Sequence, residues 1–104
     1  MTEIELRFTQ ENEELLRLGK KHATTRRTRH GRPGDTFRAA GDTWTISAVV
    51  PVPLRQAFAT VFVIEGFHTP AEMAAAWQRC YQLLHPPDVT AIVYVHYFSR
   101  QLAG

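Results

Sequence analysis

The sequence predicts a small α+β protein, a compact β-barrel with two main helices packed at its ends. Three observations predict it. Short β-biased runs follow one another with turn residues between them. Two segments carry helical spacing and capping residues. Val89 to Phe98 is a long run that is apolar on both faces, as in a mid-sheet or barrel strand. At 104 residues the chain holds one domain, 1–104, and one core.

Each element has its own signal. Ile4 to Phe8 alternates apolar and polar residues and predicts a short strand. Thr9 caps a helix over Gln10 to Leu18, with Glu11, Glu13 and Glu14 in its early turns. Gly19 ends it as a left-handed cap. The threonines of His22 to Arg27 favour extended backbone, and Thr28 to Gly34 reads as a loop around Gly31, Pro33 and Gly34. Thr36 to Ala40 and Thr43 to Val50 flank Gly41-Asp42, a two-residue hairpin turn. Pro51 and Pro53 are expected to break the second strand, and Leu54 to Thr60 to form a short helix. Val61 to Ile64 reads as extended, with a tight bend at Gly66.

Thr69-Pro70-Ala71-Glu72 combines an N-cap, a proline at the first helical position and a capping-box glutamate. The helix that follows is expected to run to about Leu84, burying Met73, Trp77, Cys80 and Leu84, and to stop at Pro86-Pro87. Trp44, Phe67, Trp77, Tyr94 and Tyr97 are expected mainly in the core.

Composition narrows the function. Hydrophobic residues are 44% and charged residues 21%, a globular balance. No stretch approaches the ~20 apolar residues of a membrane span. MTEIELRF has early acids and no apolar core of a signal peptide. Cys80 is the only cysteine, which excludes an internal disulfide framework and a thiolate zinc site. These features predict a cytoplasmic protein without membrane partners. The histidines at 22, 30, 68, 85 and 96 lack metal-ligand spacing, and neither a metal nor a cofactor is expected. The net charge is +2, yet Arg17 to Arg38 holds eight cations and one acid, Asp35. Such a segment suits a phosphate backbone or another anionic ligand, and is also what a solvated charged loop looks like.

Three motifs carry a resemblance. Gly19 to Arg26 reads GKKHATTR, Gly34-Asp35 precedes a strand, and Ile64-Glu65-Gly66-Phe67 precedes the Thr69 to Trp77 helix. In this order they resemble the ASCH family, whose PUA-like barrel is associated with RNA and modified nucleosides. The resemblance runs from the first helix to the last strand. One group of similar length consists of amidohydrolases that convert N(4)-acetylcytidine to cytidine and acetate. By that resemblance Thr24 is the nucleophile, Lys21 the proton acceptor and Glu65 the proton donor. Lys20, Arg26, Arg27, Arg29 and Arg32 would hold phosphate or substrate, and Phe67 would stack on a base. Other members of the wider family are linked to RNA binding or RNA cleavage, so a non-catalytic RNA-binding module and a ribonuclease stand as alternatives. The partner is RNA or a nucleoside in each case, and the chain is a monomer or a dimer.

Chemistry adds two conditions. A threonine hydroxyl needs a base, and a lysine beside a carboxylate is held as ammonium unless the carboxyl is protonated or distant. Positions 21 and 24 face opposite sides of a regular strand, so they converge only if Lys21 lies in the turn before it.

Overall fold

A computed structural model describes residues 2–102. The described residues form three helices and a four-stranded antiparallel sheet curled into a half-barrel. The elements are α1 (Gln10–Arg17), β1 (Ala23–Arg26), β2 (Thr36–Ala39), β3 (Asp42–Pro53), α2 (Leu54–Thr60), α3 (Pro70–Cys80) and β4 (Ile92–Arg100). The strand order is β1-β4-β3-β2. The long apolar strand therefore lies inside the sheet, as its sequence demands, and β1 and β2 form the edges of an open arc, not a closed barrel. No helix among the described residues is long and apolar enough to cross a membrane.

Two apolar clusters cover the two faces. Val93 and Val95 of β4 point into one, with Val52, Ala57, Phe58, Met73 and Trp77. Phe98 points into the other, with Leu6, Leu16, Phe37, Trp44 and Ile46. A β-bulge between Ile46 and Ala48 explains how β3 serves both. The extra residue inverts the alternation, so Trp44 and Ile46 face one cluster and Val52 the other.

Several expectations are corrected. Ile4 to Phe8 forms no strand; the N-terminal segment meets the sheet in an isolated bridge between Glu3 and Thr36 and packs Leu6 and Phe8 against Phe37 and Phe98. The β2–β3 turn falls one residue early, on Ala40-Gly41, both at positive φ (52° and 81°) as a type I′ turn requires. Pro51 and Pro53 do not break β3, which pairs with β4 through Pro53. They have the same parity, so both nitrogens point to one side. Paired β2 ends opposite Thr45, leaving that stretch of β3 an edge where a missing N–H is harmless.

Val61 to Ile64 turns instead of extending. Glu65 N–H donates to the Val61 carbonyl at 3.1 Å and Phe67 N–H to the Phe62 carbonyl at 2.8 Å. Helix α3 stops four residues short of Leu84. Gln82 adopts φ 53°, the Leu83 N–H donates to Gln78, and the Gln82 N–H donates to Arg79. This Schellman motif ends the helix before the prolines can. Met73 and Trp77 are buried, but Cys80 and Leu84 are exposed. Tyr94 and Tyr97 are half-buried.

Candidate functional site

The site is built where α1 hands the chain to β1. Thr9 caps α1 through its hydroxyl, which accepts from Asn12 N–H at 3.2 Å. The helix ends in a second Schellman motif: Gly19 sits at φ 73°, and Lys20 N–H donates to the Leu15 carbonyl at 2.9 Å. That turn delivers Lys21 inward, two residues before β1 begins. The condition for convergence is met, since Lys21 is not on the strand.

Glu65 comes from the opposite side, on the turn between α2 and α3. Gly66 makes that approach feasible. Its φ is +96°, and a Cβ there would lie 3.2 Å from the Lys20 carbonyl and 3.2 Å from a Leu15 methyl. The His22 N–H donates to the Ile64 carbonyl at 2.7 Å, fastening the two segments together.

The result is a buried chain of polar groups. The Lys21 Nζ donates to Glu65 Oε1 at 2.8 Å, with the two side chains 2% and 6% exposed. The Thr25 hydroxyl donates to Glu65 Oε2 at 2.6 Å. Among the described residues no buried side-chain nitrogen or oxygen lacks a hydrogen-bond partner. Lys21 also lies 5.9 Å from the centre of the Phe67 ring.

Thr24 is disposed differently. It pairs with His96 across β1–β4, while Thr25 pairs with Val95, so the two threonines point to opposite faces. The Thr24 hydroxyl accepts from Arg26 Nε at 3.1 Å. Because β1 is an edge strand, both threonines still line one cleft of about 80 Å³, with Lys21, Arg26, Glu65 and Phe67. The hydroxyl within hydrogen-bond reach of Glu65 is that of Thr25, a residue the sequence reading did not single out. A Thr-Thr pair on a strand always offers one hydroxyl to each face; that was the available signal.

Arg26 is fixed from several sides. Its Nη2 donates to the Arg7 carbonyl at 2.7 Å, and its guanidinium lies 4.9 Å from the Phe8 ring centre. Burial pulls it below its ordinary range, though an arginine stays charged. Arg27 stacks 4.1 Å from the ring centre of Tyr81, but it is exposed and does not line the cleft. Burial raises the Tyr81 phenol above its ordinary value. Lys20, Arg29 and Arg32 are exposed and do not line the cleft. Of the residues expected at the site, Lys21, Thr24, Arg26, Glu65 and Phe67 meet in this cleft. The cleft's aromatic walls Phe8 and Tyr81, and Cys80 from α3, carry no signal in the sequence that marks them as site residues.

His96 is fully buried beneath this strand. Its Nδ1 lies 3.2 Å from the Thr24 carbonyl, and its Nε2 accepts from the His30 N–H at 2.9 Å. That pairing requires the proton on Nδ1. Burial lowers the His96 pKa, partly offset by the bond to Thr24; burial and nearby Arg26 lower that of His30. His96 is therefore a neutral strut between β1 and the arginine-rich loop.

No family model matches the sequence, and no curated protein does. Solved structures do. The hypothetical protein PH0355 aligns over 97% of this chain and 100% of its own, at TM-score 0.71 and 15% identity. The ASCH domain from Lactobacillus crispatus aligns over 95% of this chain and 78% of its own, at 0.60 and 14%. Protein PF0455 from Pyrococcus furiosus aligns over 98% and 96%, at 0.60 and 15%. The class is thus an α+β half-barrel with helices packed against its sheet. More narrowly, the fold is shared with that ASCH domain.

Proposed function

We propose that the cleft binds the base of a modified pyrimidine nucleoside, alone or within RNA, and hydrolyses its N(4)-acetyl amide. The observation that supports this most is the buried Lys21–Glu65 pair at the floor of a cleft that also holds a polarised threonine hydroxyl. Burying two charges carries a desolvation penalty, and a hydrophobic pair would pack there without it. Amide hydrolysis gives the pair a purpose. Moving one proton from Nζ to Oε1 leaves an amine and a carboxylic acid, which are the base and the acid the reaction needs.

In this mechanism the Thr24 oxygen attacks the acetyl carbonyl and its proton passes to the Lys21 amine. Arg26, bonded to that oxygen through Nε, favours the loss of its proton. The C–N(4) bond then breaks, and Glu65 gives its proton to the departing nitrogen. Cytidine leaves, the acetyl group remains as an ester on Thr24, and water releases it as acetate. Lys21 is again an ammonium and Glu65 a carboxylate. Phe67, Phe8 and Tyr81 supply apolar walls suited to a base. The test is incubation of the purified protein with N(4)-acetylcytidine, followed by chromatography for cytidine. Cytidine should accumulate; an untouched substrate from acid to alkaline pH ends this reading.

A second reading, RNA binding without catalysis, is favoured by the exposure of Lys20, Arg27, Arg29 and Arg32 on the segments flanking β1. Four phosphate contacts to a single strand predict a slope of roughly −3 in log affinity against log salt. A filter-binding series with RNA reads that slope, and a flat line rules the contacts out. RNA cleavage is the remaining alternative; intact RNA after incubation disposes of it.

A further inference from the structure

We infer that a groove beside the cleft, walled by Arg7, Arg26 and His30, is a phosphate subsite, so that a nucleotide is bound in preference to the free nucleoside, which the cleft also accepts. This rests on the reading of the cleft as a base pocket. The groove has a volume of about 280 Å³ and is lined by Glu5, Leu6, Arg7, Arg26 and His30. It shares Arg7 and Arg26 with the cleft. In this reading a base seated against Phe67 directs its sugar out past that shared wall. The next group along a nucleotide is the phosphate.

Arg26 is prepared for it. Phe8 supports one face of the guanidinium, Nε is spent on Thr24, and one Nη2 proton is spent on the Arg7 carbonyl. Among the described hydrogen bonds, Nη1 and the second Nη2 proton have no acceptor. A guanidinium held in place before the ligand arrives loses little freedom on binding, and its remaining N–H groups match two phosphate oxygens. Arg7 contributes a second guanidinium. Its Nε meets Glu5 Oε1 at 3.1 Å, in a pair whose side chains are 89% and 75% exposed. Such a pair is weak and rearranges readily, so Glu5 does not bar an anion. The His30 ring adds a third nitrogen-bearing wall, with Nε2 at 3.2 Å from the Thr28 hydroxyl. The bound phosphate is either a terminal monophosphate or a diester in a strand.

Calorimetry with cytidine, cytidine 5′-monophosphate and a short oligoribonucleotide centred on cytidine tests this. Wild type should bind the monophosphate at least about tenfold more tightly than cytidine, as a charge-assisted pair predicts. In Arg7→Ala that ratio should fall toward one, and Arg7→Lys should restore part of it. Reading the ratio removes any general loss of folded protein. A further gain with the oligoribonucleotide identifies the diester; its absence identifies the monophosphate. Equal affinity for cytidine and its monophosphate in wild type overturns the subsite and leaves the base pocket standing. An unchanged ratio in Arg7→Ala overturns the groove assignment. Failure of all three ligands to bind overturns pocket and subsite together.

Discussion

Among the described residues, Lys21–Glu65 is the one salt bridge with both side chains buried. Removing one leaves a buried charge uncompensated, which typically costs about 3–5 kcal/mol. Lys21→Met should therefore lower the unfolding free energy by about that much, read from the urea midpoint. Lys21→Met combined with Glu65→Leu should recover most of the loss, because two apolar side chains replace the pair. A double variant as unstable as the single one would show that the pair is needed for packing as well as charge balance. At this scale much was legible in the sequence. Lys21, Thr24 and Glu65 all reach one cleft, and Gly19 and Gly66 mark the backbone turns that bring them there. The split between Thr24 and Thr25 was not legible. It depends on which residue of β1 pairs with Val95, a register that chain order alone does not contain.

Elements with local signals formed where those signals lie. Thr9 and Thr69 both cap their helices through their hydroxyls, and α2 spans the expected Leu54–Thr60. Elements set by long-range pairing were misread. The prolines of β3 are tolerated because β2 is short, and the bulge at Ile46/Ala48 answers to two clusters on opposite faces. The end of α3 was misread for a different reason: its Schellman cap uses Gln82 where glycine is usual. A side chain at positive φ is strained there by about 1 kcal/mol or more. Gln82→Gly should accordingly stabilise the protein by about 0.5–1 kcal/mol, after the extra freedom glycine gives the unfolded chain. Thermal melts should show a midpoint a few degrees higher. A lower midpoint would mean that the Gln82 side chain contributes more than its backbone loses.

The molecule as a whole should respond to pH through His96. Its pKa is lowered in the folded state, so between that value and the unfolded value of about 6.5 the unfolded chain binds more protons. The stability it contributes is complete above about pH 6.5 and is lost as pH falls through this window. His30 shifts in the same direction and adds to the effect. Asp88, held low by Thr90, acts in a separate and more acidic range. Denaturation midpoints should fall from pH 7.5 to pH 5.5, and the fall should shrink in His96→Gln. An equal fall in that variant would assign the effect to other groups. The compact barrel expected from the sequence is an open half-barrel. Strand count and alternation do not fix whether the edge strands meet, since closure depends on the curl of the whole sheet.

In the proposed reaction a hydroxyl, an amine and a carboxyl act together on an amide. Acetate release from N(4)-acetylcytidine, compared among wild type, Thr24→Ala and Thr25→Val, tests it most directly. Wild type should release acetate, Thr24→Ala should be slower by about a thousandfold or more, and Thr25→Val should stay within about tenfold. Equal rates for wild type and Thr24→Ala, or no release by any of the three, would contradict it.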